Sequence, residues 1–169
     1  MRYSLLLKNI ELNALTNVFV SRSAVTSECG EVQLFTDKKN WGAHSLSECN
    51  LSLQRDGCHT VPAVTLDEFV KKMKIPKVDF IKIDTEGAEG RIIDGAENTL
   101  QANHLNILME FWPTGLRNLG VQPVDLLRRL QGYGFKIKVI MKKGTELQSI
   151  DGIIELALRK GYINLFLEK

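Results

Sequence analysis

One stretch constrains this chain more than any other: Val78-Asp79-Phe80-Ile81-Lys82-Ile83-Asp84, followed at once by Thr85-Glu86-Gly87. The run is mostly apolar and β-favouring, as expected for a strand covered on both faces. It ends on acids, and Gly87 then allows a sharp turn into a helix starting near Ala88, with a jog near Gly95. Ile107 to Trp112 forms a second buried run, closed by Pro113. Two buried strands with a helical segment between them predict a βαβ unit and adjacent parallel strands.

The flanks extend this pattern. Pro123 suits the first position of a helix running to about Leu130, and Gly132 and Gly134 end it. Phe135 to Met141 reads as a strand, residues 149–159 as a helix, and Ile163 to Leu167 as a last strand that could be an antiparallel edge. Towards the N-terminus, residues 3–13 read as an amphipathic helix with Tyr3, Leu6, Leu7 and Ile10 near one face. Val18 to Ser21 and Val32 to Thr36 are short β-rich runs. Residues 37–58 carry few periodic apolar positions and are expected to be a long loop. Val61 to Thr65 is a short extended run. Thr65-Leu66-Asp67-Glu68 has the spacing of a capping box, so a helix through Lys72 should follow. The fold class expected is α/β, with one mostly parallel sheet and helices on both faces, in a single domain over residues 1–169.

Charge narrows the function. The chain carries 22 Lys and Arg against 20 Asp and Glu, a net charge of +2. That balance argues against a nucleic-acid surface. No apolar run approaches the ~18 residues that a membrane span needs, and the N-terminal apolar stretch is too short for a signal peptide. A soluble, cytoplasmic protein is expected. Cys29, Cys49 and Cys58 give neither a disulfide framework nor a CxxC zinc site. His44, Cys49 and Cys58 lie close enough in sequence to meet at a metal, but free thiols are the better reading, and no metal is expected.

Ligands of open α/β sheets bind beyond the carboxyl ends of the strands. Asp84 and Glu86 follow the first buried strand, and Glu110 falls near the end of the second. A carboxylate placed there costs several kcal/mol unless it is solvated or paired, so three converging acids ask for a reason. Structural roles compete with a chemical one. Asp84 could cap the following helix and Glu86 could favour its positive end. Glu110 could pair with Lys82. Met109, Phe111 and Trp112 could pack against an adenine, although a core role is more common for such residues. The chain has no GxGxxG and no Walker loop.

The segment VDFIKIDTEGAEGRIIDGAENTL, residues 78–100, resembles the signature of the FkbM family of methyltransferases. Thr65 to Phe69 and Ile107 to Pro113 resemble the flanking segments of that family. Leu7 to Asn13, Ser23 to Val25 and Gly30 to Val32 resemble its upstream part. The resemblance implies a partial Rossmann-like class I methyltransferase fold, with S-adenosylmethionine as cofactor and a hydroxyl of a small molecule or sugar as acceptor. It implies that Asp84 lies near the reacting methyl group, as substrate orienter or general base, and also near the cofactor. Glu86 and Glu110 would line the same pocket, and Ser23 and Ala24 would approach the adenine. The family's domain begins with a strand, a Gly-containing loop and a second strand ending in an acid that binds ribose. This chain starts at the helix that follows, so it is expected to be N-terminally incomplete and to bind the cofactor weakly or not at all. Val18–Ser21 would then lie apart from the main sheet or cover its open edge, and that edge would favour self-association. Two other functions stand beside this one: a non-catalytic remnant acting as an assembly module, and a metal enzyme using Asp84, Glu86 and Glu110.

Overall fold

A computed structural model describes residues 2–38, 40, 42–51, 55–102 and 104–169. Its elements fall into two sheets. The larger is built from β5 (Phe80–Ile83), β6 (Asn106–Phe111), β7 (Lys136–Met141), β8 (Gly144–Leu147) and β9 (Ile163–Glu168), in the order β5-β6-β9-β7-β8. The βαβ unit expected from sequence is present. β5 pairs with β6 in parallel, Ile81 opposite Ile107 and Ile83 opposite Met109. The connection is α3 (Glu89–Asp94) and α4 (Glu97–Ala102), broken at Gly95.

The expectation of a mostly parallel sheet does not hold. β9 lies between β6 and β7 and is antiparallel to both. The physical reason is β8, a strand of exposed residues that periodicity gave no hint of. Gly144, at φ +114°, closes a tight turn after β7, and Met141 pairs with Gly144. The chain therefore reverses before α7 (Ile150–Lys160) carries it across, so the crossover joins β8 to β9, not β7 to β9.

Nor is the sheet deeply covered on both faces. In β6, Ile107, Met109 and Phe111 are fully buried, while Leu108 and Glu110 are half-buried; β9 alternates in the same way. Side chains alternate faces along a strand, so one face holds the core against α3, α6 (Pro123–Gly132) and α7, and the other is partly open. Met109 and Phe111 belong to this core, and so does Leu116 of α5 (Pro113–Asn118).

The smaller sheet has the order β1-β4-β2-β3, with β1 (Ala24–Val25), β2 (Gly30–Asp37), β3 (His44–Ser45) and β4 (Arg55–Val64). The long loop expected over 37–58 is in part structured. It holds β3, a short 3-10 helix at Glu48–Asn50, and the start of β4, which pairs antiparallel with β2 from Gly30–Ala63 to Asp37–Arg55. The extended run at 61–65 is the end of this longer strand. Cross-strand pairing, not local periodicity, makes it a strand. Val18–Ser21 forms no strand and joins neither sheet; the short strand begins later, at Ala24.

Helix α1 (Arg2–Leu12) forms where expected. Its apolar side chains stay largely in solvent, with Leu5, Leu6, Leu7 and Leu12 all exposed. Helix α2 (Leu66–Lys72) starts as its capping sequence predicts, with Thr65 Oγ1 accepting from the Glu68 N–H at 3.1 Å. Glu68 does not reach back; its carboxylate meets Lys71. Asp67 instead caps α4, accepting from the N–H and side chain of both Asn98 and Thr99 at 2.7–3.0 Å. Partial burial works to raise the Asp67 carboxyl, but these hydrogen bonds outweigh it and hold the group below its usual range.

Candidate active site

The carboxyl end of β5 opens onto a cleft of about 1370 Å³ between the two sheets. Ser23 and Ala24, Thr36, His59, Asp84 and Thr85 are among its walls, with Leu34, Ile81 and Ile92 supplying apolar surface. The structure thus brings Ser23, Ala24 and Asp84 to one cavity. Glu86 and Glu110 are not on its wall. A shallower hollow of about 490 Å³, bounded by Gln101, Arg129, Tyr133 and Lys169, contains none of these acids.

Asp84 does not take the capping role that the sequence offered it. It caps no helix: α3 begins after Ala88 without a side-chain cap. Lys82 Nζ donates to Asp84 Oδ2 at 2.6 Å. Both side chains are well exposed, so the pair contributes little to stability. Lys82 is therefore not the hydrogen-bonded partner of Glu110.

The acids nevertheless sense one another. Burial, then the charges of Asp84, Glu86 and Glu89, push the Glu110 carboxyl from 4.5 up to about 7, with Lys82 pulling the other way. Burial, then Asp84 and Glu89, raise Glu86 as well. A carboxyl titrating near neutral pH is suited to moving protons.

The segment between Asp84 and α3 is a strained turn. Glu86 has φ +53° and Gly87 φ +99°, a region that side chains other than glycine rarely occupy. Glu89 holds it from within. Its Oε1 accepts from the Thr85 N–H at 3.2 Å, the Thr85 hydroxyl at 3.0 Å and the Gly87 N–H at 3.1 Å. Ser45 and Asn50 hold it from the small-sheet side. The Ser45 hydroxyl donates to the Glu86 carbonyl at 2.7 Å, and Asn50 Nδ2 donates to the same oxygen at 2.8 Å. Sequence reasoning gave none of these three a role. Thr85 and Glu89 sit one residue further apart than a capping box, which is a faint signal. Asn50 gives no local signal, since it acts 36 residues away.

Among the described residues, no group of three or more His, Cys, Asp or Glu side chains is arranged to hold a metal ion. Cys29, Cys49 and Cys58 are free thiols and exposed. No described helix is long and apolar enough to cross a membrane.

The profile of the methyltransferase FkbM domain matches residues 3–137, which include the cleft, β5 and β6. The chain belongs to the FkbM methyltransferase family. No curated protein and no solved structure gives a significant match. Within this FkbM domain, the family match ends at the start of β7, so the antiparallel β7-β8-β9 arrangement lies largely beyond it.

Proposed function

We propose that this domain transfers a methyl group from S-adenosylmethionine to a hydroxyl oxygen of a small-molecule or sugar acceptor. The observation that supports this reading best is the single cleft that takes in Ser23 and Ala24 together with Asp84. Its walls suit the cofactor. Val25, Ile81 and Ile92 give apolar surface for an adenine, Ser23 and Ala24 would hold that ring, and Asp84 supplies a negative group towards which a sulfonium is drawn. When bound, the cofactor supplies an electrophilic methyl group. Asp84 would orient the acceptor hydroxyl and accept its proton, with one carboxylate oxygen fixed by Lys82. Glu86 and Glu110 add a negative field that favours a cationic methyl donor over an anionic one.

Calorimetric titration with S-adenosylhomocysteine and a transfer assay on a panel of polyols and sugars test this reading, both on this chain, where weak binding is expected, and on a version extended at its N-terminus, where the variants below are read. Ala24→Trp should fill the cleft and abolish cofactor binding. Asp84→Asn should lower kcat by roughly 10²–10⁴-fold and leave S-adenosylhomocysteine affinity nearly unchanged. Binding that survives Ala24→Trp, or turnover that survives Asp84→Asn, would overturn it.

An assembly role is a second reading, favoured by the position of β5. It is an edge strand of its sheet, and Phe80 on it is 52% exposed. Exposed strand edges pair with other chains. Sedimentation should then show concentration-dependent self-association that Phe80→Lys removes; a monomer at all concentrations would reject it.

A further inference from the structure

Glu89 is the least expected charge in the molecule. It is fully buried, all three of its loop hydrogen bonds fall on Oε1, and Oε2 is buried without a partner. Leaving a buried polar atom unpaired is destabilising, so stability alone does not account for a glutamate here. The side-chain hydrogen bonds it accepts come from the turn that follows Asp84.

That turn is also held from outside. Asn50 is buried and makes bonds in three directions: Nδ2 to the Glu86 carbonyl, Nδ2 to the Gly115 carbonyl at 3.2 Å, and Oδ1 from Asn118 Nδ2 at 2.7 Å. It sits in the insertion between β2 and β4, the strands that supply Thr36 and His59 to the far wall of the cleft. Gly87 shows how closely these parts meet: a Cβ there would collide with Asn50 Nδ2 and come within 2.7 Å of the Gly115 backbone.

We propose that Glu89 and Asn50 are positioning residues that clamp the Thr85–Gly87 turn from its two sides, so that Asp84 is held in fixed relation to the opposite, small-sheet wall of the cleft. Neither touches the cleft. Glu89 sets the path of the backbone that leaves Asp84, and Asn50 ties that path to the sheet facing it. The part of this proposal that concerns turnover rests on the methyltransferase reading; the clamp itself does not.

The geometry makes an unusual demand on the variants. Because the three hydrogen bonds from the turn all fall on one oxygen, Glu89→Gln can keep them and Glu89→Ala can keep none. In the full chain, Glu89→Ala should speed hydrogen exchange of the Thr85 and Gly87 amides by at least about tenfold and leave Met109 and Leu165 at their wild-type rates. With cofactor and acceptor present, kcat should fall by roughly 10–100-fold while acceptor KM stays nearly constant. Glu89→Gln should restore both. Ser45→Ala, which releases one hold on the Glu86 carbonyl, should give the same pattern at smaller size and serves if Glu89→Ala does not fold. Exchange at Thr85 and Gly87 that stays at wild-type rates would overturn the clamp. So would an equal rise at Met109, which marks a merely structural role, or a Glu89→Gln variant no better than Glu89→Ala. If neither this chain nor a version extended at its N-terminus transfers a methyl group, the methyltransferase reading fails, and the exchange rates alone still decide the clamp.

Discussion

The two sheets of this domain are held together by different means. Every side chain of the main hydrophobic core lies between Ile83 and Leu167. Among the described residues of the small sheet and its connections, residues 24–64, one hydrophobic side chain is buried, Ala63, beside five polar ones: Thr26, Asp37, Ser45, Ser47 and Asn50. Apolar burial is non-directional and contributes roughly in proportion to area. Hydrogen bonds contribute about 1 kcal/mol net but fix direction. The large sheet is therefore where stability resides. The small sheet is where orientation is set, and it faces the cleft.

The sharpest way to break this comparison is to remove core volume. Leu127→Ala, at a fully buried position of α6, should cost about 2–5 kcal/mol in denaturant unfolding. Leu34→Ala, on the half-buried small sheet, should cost well under half of that. Equal losses would show that the small sheet carries core-like stability after all.

The junction between the two regions gives the next effect. Gly95 packs so closely on the Thr26 carbonyl that a Cβ would collide with it. Gly95→Ala should destabilise by roughly 1–3 kcal/mol and speed amide exchange in β2 and β4 more than in β6 and β9. Uniform acceleration would mean that the two sheets open as one unit.

The smallest effect is electrostatic. Glu110 titrates near 7 in the folded chain against 4.5 ordinarily. A raised carboxyl binds more protons folded than unfolded, so its contribution is fully present below 4.5 and is lost as pH rises through 7. Glu110→Gln should accordingly raise Tm relative to wild type by a growing margin between about pH 5 and 8. The group is only half-buried, so the gain should be small. A Tm difference that does not change with pH would show that neither burial nor the surrounding acids raise Glu110.

Much of the large sheet was legible because its signals are local. Val78–Asp84 and Ile107–Trp112 are apolar runs flanked by turn residues, and Pro123 and Ser149 start helices by rules that need only neighbours. The same holds for Asp84, Glu86 and Glu110, since an acid at the end of an apolar strand is visible in one dimension. Other features depended on distant partners. β8 is a strand only because β7 lies beside it, and β4 begins early only because β2 does. Lys82 took Asp84 as its partner because alternate residues of one strand can reach each other, whereas Glu110 lies on the neighbouring strand, two residues beyond the Leu108 that stands opposite Lys82.

The sequence by itself determined the family, through residues 78–100, and the βαβ unit that presents Asp84, because apolar periodicity and turn chemistry act over a few residues. Only the tertiary structure decided that the sheet is mixed, that Asp84 faces Ser23 and Ala24 across one cleft, and that Glu89 and Asn50 grip the turn between them. Those outcomes depend on strand pairing and on hydrogen bonds spanning tens of residues, and chain geometry alone brings such partners together.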